Sequence, residues 1–99
     1  MVTLQIEHPI TDLSTWQGAF ARFAQARTNA GVWSQTIHQL VDDENYIYVR
    51  LEFDDLDRAR ASKHFLETKV WTSPDASPGL SGTPRARILM PLATEPSTS

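Results

Sequence analysis

The chain has 99 residues, no cysteine and a formal net charge of -3, and its nine basic residues form no cluster. That length allows one domain with a modest core, and the lack of cysteine excludes disulfides, thiolate metal sites and cysteine nucleophiles. The charge argues against nucleic acid or an anionic membrane surface as a partner, because both require clustered lysine and arginine.

The ends of the chain give further expectations. The opening MVTLQIEHP is too short and too polar for a signal peptide, and no apolar run approaches the roughly 20 residues of a membrane span. We therefore expect a cytoplasmic protein with a single domain over residues 1–91. Residues 92–99 have the small, polar composition of a flexible tail.

The first predicted elements are a strand and a long helix. Residues 2–8 alternate in polarity, and Pro9 ends the strand because it has no N–H to donate. Apolar residues then recur at helical spacing after a polar capping residue, which predicts one helix over residues 13–29. Gly31 is the expected left-handed residue that closes this helix.

A hairpin is predicted next. Residues 32–41 alternate less distinctly, which is typical of an edge strand, and the polar residues 42–45 form its turn. Residues 46–53, YIYVRLEF, show the most regular alternation in the chain and predict a central strand. The remaining predicted elements are a helix over residues 56–71, a loop rich in Ser, Pro and Gly over residues 72–84, and a strand over residues 85–90.

This order of elements predicts an α+β, ferredoxin-like βαββαβ fold. Right-handed crossovers place both helices on one face of a four-stranded antiparallel sheet, with strands one and three at its centre. The other face, which we call the bare face, is then left without helices. Its predicted side chains are Thr3, Gln5, Glu7, Tyr46, Tyr48, Arg50 and Glu52.

The bare face has two possible uses. Two copies can press their sheets together, or one sheet can present aromatic side chains for stacking RNA bases. Base stacking requires an aromatic residue on strand one, where Gln5 lies, and a basic surround. Interfaces favour tyrosine and arginine. We therefore predict a homodimer, with Tyr46, Tyr48, Arg50 and Glu52 in its interface.

Four parts of the chain carry a family resemblance. They are VTLQIEHPITDLSTWQGAFARF near the start, the R-x-x-x-G of residues 27–31, the DDEN turn of residues 42–45, and residues 54–65. Together they resemble the dimeric α/β-barrel superfamily, in its antibiotic-biosynthesis-monooxygenase-like branch of small bacterial proteins. That superfamily includes cofactor-free quinone-forming monooxygenases, polyketide cyclases, muconolactone isomerases and haem-degrading enzymes, so the resemblance implies a fold rather than one reaction.

The resemblance also implies a pocket between helices and sheet. Trp71 is similar to a tryptophan that ends the second helix in the monooxygenase branch and lines this pocket, although it can equally be a core anchor for the loop that follows. Trp16, Phe20 and Phe23 recur at helical spacing and are its predicted ligand-binding wall. The same spacing is also typical of an ordinary core.

Two histidines are further candidates. His8 ends strand one near the predicted pocket mouth, where a pKa near neutrality would let it act as a catalytic proton acceptor. The alternative is that His8 holds the strand-to-helix turn through a backbone hydrogen bond. His64 resembles in position the haem ligand of haem-degrading relatives, and it is kept as a ligand-binding candidate. The strand-one asparagine of those relatives is absent here.

We expect no cofactor and no metal ion. His8, His38 and His64 lie on three different predicted elements, with no paired ligand spacing. Two functions stay open at this point. One is binding of a small aromatic or polyketide-like molecule without catalysis, and the other is cofactor-independent monooxygenation or cyclisation of such a molecule. The loop over residues 72–84 either covers the pocket or reaches into a partner subunit.

Overall fold

The structure is a computed structural model that describes residues 1–92. Its elements are β1 (Val2–Pro9), α1 (Leu13–Arg22), α2 (Ala24–Asn29), β2 (Ser34–Leu40), β3 (Asp43–Phe53), α3 (Leu56–Phe65), a π-helical turn (Leu66–Val70) and β4 (Arg85–Leu89). Beyond Leu92, the predicted tail lies outside the described residues.

The described strands form one antiparallel sheet in the order β2-β3-β1-β4, which confirms the predicted ferredoxin-like fold. The two central strands, β1 and β3, pair along their length in a register that sets Leu4 opposite Leu51. A sheet of this kind places alternate side chains on opposite faces. The observed burial follows that alternation, with every second residue of β1 buried.

The core lies between one face of this sheet and the helices. Its most completely buried large side chains are Leu4, Ile47 and Phe53. Burying each such side chain stabilises the fold by about 1.5–3 kcal/mol. Trp16 of α1 and Ala59 of α3 are buried against the same cluster, so both halves of the chain share one core.

The predicted single helix over residues 13–29 is wrong in one respect, because it is broken at Phe23. Phe23 has φ -95° and ψ 12°, and its N–H donates to the Phe20 carbonyl at 3.2 Å. The Arg27 side chain also donates to that carbonyl, at 2.5 Å. A side-chain donor on this oxygen and a tightened last turn accompany the end of α1 and the start of α2.

The predicted cap of this segment is confirmed. Gly31 has a φ of +96°, and a Cβ there would lie 2.7 Å from the Arg58 side chain. Only glycine satisfies both the backbone conformation and the contact.

The hairpin turn is shorter than predicted. β3 begins at Asp43, so only Val41 and Asp42 lie between the strands, where residues 42–45 were expected to form the turn. Side-chain hydrogen bonds support this extension, since Gln39 Nε2 donates to the Glu44 carbonyl at 2.8 Å. β2 is correspondingly shorter than the predicted residues 32–41, and its register shifts between Gln39 and Leu40.

The bare face carries the side chains that the alternation predicts. Tyr46 donates through its hydroxyl to Glu7 at 3.1 Å, and its ring meets the Tyr48 ring edge-on at 5.5 Å. The register of β4 adds Arg85 opposite Glu7 and Arg87 opposite Gln5. In the part of the chain that the structure describes, no helix covers this face, and its tyrosines stay half-buried.

Candidate functional site

A cavity of about 130 Å³ lies between the helices and the sheet. Ile6, Val49 and Leu51 of the central strands form its floor, while α1, α2, α3 and the π-helical turn supply most of its walls. The loop after the π-helical turn completes the lining with Ala76, Ser77, Pro78 and Leu80. The lining is almost entirely apolar, so the cavity suits an apolar molecule.

The structure brings most of the predicted site residues together. His8 and the four predicted aromatic residues all line the cavity; the four are Trp16, Phe20, Phe23 and Trp71. His64 lies outside this lining, with an exposed side chain on α3. Its position one step off the buried stripe of the helix is the physical reason for this placement.

An aromatic row forms one wall of the cavity. Trp16 and Phe20, four residues apart on α1, stack with ring centroids 5.0 Å apart and planes inclined by 26°. The His8 ring lies 6.1 Å from the Trp16 ring at one end of the row. At the other end, the Arg27 guanidinium carbon lies 3.6 Å from the centroid of the Phe20 ring. We call His8, Trp16, Phe20 and the arginine stacked on it, Arg27, the aromatic row.

The start of α1 fixes this wall. Asp12 is the N-cap, and its Oδ2 accepts hydrogen bonds of 2.8 Å from both the N–H and the hydroxyl of Thr15. Capping determines where the helix begins, and residues four apart on a helix lie one above the other. The cap therefore sets the register in which Trp16 and Phe20 face the cavity.

His8 is the histidine of the site, and strand alternation places it on the core face at the end of β1. Only 4% of its surface is exposed, and its Nδ1 lies 3.1 Å from the Pro9 carbonyl. Because a carbonyl oxygen only accepts, Nδ1 carries the proton and Nε2 of the neutral ring keeps a lone pair. Burial lowers the pKa of His8, and the hydrogen bond to Pro9 raises it to a smaller extent.

The backbone hydrogen bond expected of His8 is present, and its role as a proton acceptor stays a prediction. The backbone hydrogen bond holds the turn after β1, and the same bond fixes the tautomer that leaves Nε2 as an acceptor. A neutral imidazole in an apolar cavity can accept a proton from a bound molecule.

Trp71 reaches the cavity through a departure from regular helix. Its N–H donates to the Leu66 carbonyl at 2.8 Å, a bond to the fifth preceding residue that defines the π-helical turn. The predicted uninterrupted helix over residues 56–71 did not include this turn. One extra residue per turn rotates the following side chains, and such turns occur frequently at functional sites. Trp71 is half-buried there as a cavity wall.

Arg27 is a site residue that the sequence did not single out, although it opens the R-x-x-x-G of residues 27–31. It lines the cavity, and its Nε donates to Gln35 Oε1 at 2.8 Å. Burial lowers the pKa of Arg27, but an arginine stays charged at any physiological pH. The seven-residue spacing from Phe20 puts Arg27 on the same side of the predicted helix, but this spacing does not show that its side chain lines a cavity.

The loop over residues 72–84 covers the cavity of its own chain. Backbone hydrogen bonds tie it to the end of β1, from Thr11 N–H to the Gly79 carbonyl at 2.8 Å and from Ser81 N–H to the Pro9 carbonyl at 3.1 Å. Gly79 has a φ of +84°, and a Cβ there would come within 3.0 Å of the Trp16 nitrogen. The close approach of loop and α1 therefore requires glycine.

The described residues also bear on metal binding and on membrane insertion. Within residues 1–92, no group of three His, Asp or Glu side chains has a geometry that could hold a metal ion. None of the helices in that range is both long enough and apolar enough to cross a membrane.

Comparison with known proteins identifies the fold. Neither a protein-family model nor a curated protein matches the sequence. Among solved structures, SnoaB, a cofactor-independent oxygenase from Streptomyces nogalater, has a TM-score of 0.72 at 19% identity over 97% of each chain. A putative antibiotic biosynthesis monooxygenase from Bordetella bronchiseptica has a TM-score of 0.70 at 11% identity, over 93% of this chain and 97% of the other.

The chain shares the ferredoxin-like fold of these antibiotic-biosynthesis-monooxygenase-like proteins. The ActVA-Orf6 monooxygenase of Streptomyces coelicolor, in complex with nanaomycin D, has a TM-score of 0.65 at 14% identity, over 98% of this chain and 92% of the other. A dimeric ferredoxin-like protein from an uncultured marine organism has a TM-score of 0.60 at 8% identity, over 98% and 100%. At these identities the likeness shows the fold alone.

The depressed pKa of His8 predicts how stability depends on pH. Between its folded-state pKa and the ordinary value of 6.5, the unfolded chain binds more protons than the folded one. The free energy of unfolding should therefore rise with pH through this window and fall again on acidification. Urea denaturation at several values from about pH 5 to about pH 8 measures this slope.

The matched variants for that measurement are His8→Gln and His64→Gln. His8→Gln should flatten the slope because it removes the buried titrating group, whereas His64→Gln changes an exposed residue and should retain it. An unaltered slope in His8→Gln would show that burial of this ring has no part in the effect.

Proposed function

We propose that the protein binds a small aromatic or polyketide-like molecule in the helix-sheet cavity. The observation that carries this proposal is the aromatic row, which offers a stacked pair of rings as one wall of an apolar cavity with Trp71 also in the lining. Aromatic ligands prefer offset-stacked or edge-on contacts with such rings. Among the described lining residues, His8 and Arg27 are the ionisable ones, so recognition by a charged or titrating group is confined to two points.

The size of the cavity limits what it holds as it stands. An engineered apolar cavity of about 150 Å³ stays dry and binds benzene, so about 130 Å³ suits roughly one aromatic ring. A ligand with two or three fused rings requires movement of Ala76–Leu80, the part of the loop that completes the lining. Such movement would break the backbone hydrogen bonds between this loop and the end of β1.

The comparisons support the ligand class. One protein of this fold is described as a cofactor-independent oxygenase, and another was solved with nanaomycin D bound. At these sequence identities, a shared fold does not establish that two proteins bind the same ligand. It does make the helix-sheet cavity a reasonable place for one, and the lining residues of this chain favour an aromatic molecule independently.

Binding can be tested by filling the cavity. Ala19 lines the cavity and is 7% exposed, so Ala19→Phe should occupy the space and abolish binding of 4-ethylphenol measured by isothermal titration calorimetry. Ala21→Phe is the control, because Ala21 lies on the same helix with its side chain exposed. Overpacking costs about 1–3 kcal/mol, so urea denaturation of each variant should accompany the titration.

The wild-type protein should bind 4-ethylphenol, and Ala21→Phe should bind it equally well. If a folded Ala19→Phe binds 4-ethylphenol equally well, the ligand binds outside the cavity. If the wild type does not bind it, the proposal is wrong.

A second candidate function is cofactor-independent oxygenation, and the position of His8 favours it. Nε2 of a neutral His8 could accept a proton from an acidic ring carbon or hydroxyl of the substrate, leaving an electron-rich anion. Molecular oxygen would be the oxidant. In the overall reaction an anthrone-type CH₂ becomes a carbonyl, one oxygen atom enters the product, and the other leaves as water with the two hydrogens.

An oxygen electrode with 1,8-dihydroxyanthrone distinguishes the two functions. Catalysis through His8 should give oxygen uptake that His8→Gln lowers by about 10²–10⁴-fold, the usual contribution of a positioned base. His64→Gln is the control, because that side chain is exposed outside the cavity. Uptake no faster than in protein-free buffer would leave binding without turnover as the function.

We also propose that the bare face joins two copies of the chain. Tyr46 and Tyr48 are half-buried aromatic side chains without a covering element among the described residues, and tyrosine and arginine are enriched in interfaces. The face carries both signs of charge, with Glu7 and Glu52 beside the arginines of β3 and β4. A two-fold axis could set each sign against the other, and one protein of this fold is described as dimeric.

The interface can be tested with Tyr48→Asp, which places a charge at the centre of this face. A charge buried between two sheets costs several kcal/mol unless it is paired, so the variant should sediment as a monomer in analytical ultracentrifugation while the wild type sediments as a dimer. Gln17→Asp, on an exposed position of α1, makes the same charge change and should remain dimeric. A wild-type sedimentation coefficient for Tyr48→Asp would count against this interface.

A further inference from the structure

Arg27 brings a positive charge to the cavity without a carboxylate to balance it. Its hydrogen-bond acceptors are two neutral oxygens, Gln35 Oε1 and the Phe20 carbonyl. The ion pairs found among residues 1–92 lie elsewhere, between Arg58 and Asp55 and between Lys63 and Glu67. No Asp or Glu is present in the described lining of the cavity.

Partial burial of this cation carries a cost that a nearby anion would offset. Removing a guanidinium from water carries a desolvation penalty, which neutral acceptors offset less completely than a carboxylate does. The direction of the Arg27 pKa shows the same penalty, because burial lowers it. The face of the Phe20 ring supplies part of the compensation as a cation–π contact.

The guanidinium is also held in a fixed orientation. Nε and Nη1 are occupied by Gln35 and Phe20, and one flat side lies on the Phe20 ring. Nη2 therefore remains as a donor whose position is set in advance. A preorganised donor gains more from a ligand oxygen than a mobile one does, because less conformational freedom is lost on binding.

We infer that the aromatic ligand carries an anionic oxygen, a carboxylate or a deprotonated hydroxyl, which Arg27 binds while the ring lies against Trp16 and Phe20. This inference rests on the proposed binding of an aromatic molecule in the same cavity. The aromatic row places the cation directly beside the stacked rings, so one ligand can reach both. Nothing else in the described lining is cationic at neutral pH, since the burial of His8 favours its neutral form.

Arg27 has a structural use as well, because it ties the break between α1 and α2 to β2. If Arg27 has only a structural role, replacing it should lower the affinity for every ligand equally. Recognition of an anion predicts a selective loss, so the test requires two ligands of the same shape and different charge.

The experiment compares 4-ethylbenzoate with 4-ethylbenzamide by isothermal titration calorimetry at about pH 8, where the acid is ionised and His8 is neutral. The wild type should bind the benzoate about 10-fold more tightly, which is a typical gain from a hydrogen bond to a charged group. Arg27→Met should bring the two affinities together mainly by weakening the benzoate. Arg22→Met, an exposed arginine of the same helical region, should leave the preference intact.

Two further measurements test the inference in case Arg27→Met folds poorly. Arg27→Lys keeps the charge and should still prefer the benzoate, and added sodium chloride should weaken the benzoate but not the benzamide in the wild type. Equal wild-type affinities for the two ligands, or a preference that survives in folded Arg27→Met, would overturn this inference and leave aromatic binding standing. Failure of both ligands to bind would instead overturn the proposed function.

Discussion

The antiparallel pairing of β1 with β3 is the constraint on which the rest of the structure depends. It sets Leu4 opposite Leu51 and Ile6 opposite Val49, and so makes one continuous apolar face at the centre of the sheet. That face is both the core of the fold and the floor of the cavity. Because alternation continues to the end of β1, the last residue it turns inward is His8. A slip of one residue would send His8 to the bare face and remove the site.

Three departures from regular structure lie around the cavity. The helix breaks at Phe23, the end of α3 takes an extra residue into its last turn, and Gly79 bends the loop against α1. Each departure brings a lining residue or a loop segment to the cavity. Regular helices packed closely on the sheet would leave a smaller cavity. The deviations are therefore concentrated around the cavity, as expected when a fold gives up regular packing to form a site.

Two ionisable groups of different charge lie at the two ends of the aromatic row. His8 is buried and therefore held neutral, with a lone pair on Nε2, while Arg27 is only partly buried and stays positively charged. Such a pair suits a ligand with a weakly acidic hydroxyl or carbon. His8 can accept the proton from the ligand, and Arg27 can stabilise the negative charge that remains on it. This arrangement is compatible with both proposed functions, which differ in whether oxygen reacts with the bound anion.

The sequence by itself determined the fold class, the strands of the sheet and the face of each central strand that is buried. These follow from local patterns in the sequence. Alternation with a two-residue repeat gives a strand one apolar face, and α1 and α3 begin at the side-chain caps Asp12 and Asp55. Periodicity also placed Trp16, Phe20, Phe23 and His8 on the faces that line the cavity, whereas Trp71 was predicted from the family resemblance. The tertiary structure alone decided the break at Phe23, the π-helical turn before Trp71 and the part that Arg27 plays at the cavity. Each of these depends on a contact between segments, such as a side chain donating to the Phe20 carbonyl, and the periodicity of a single segment contains no information about such a partner.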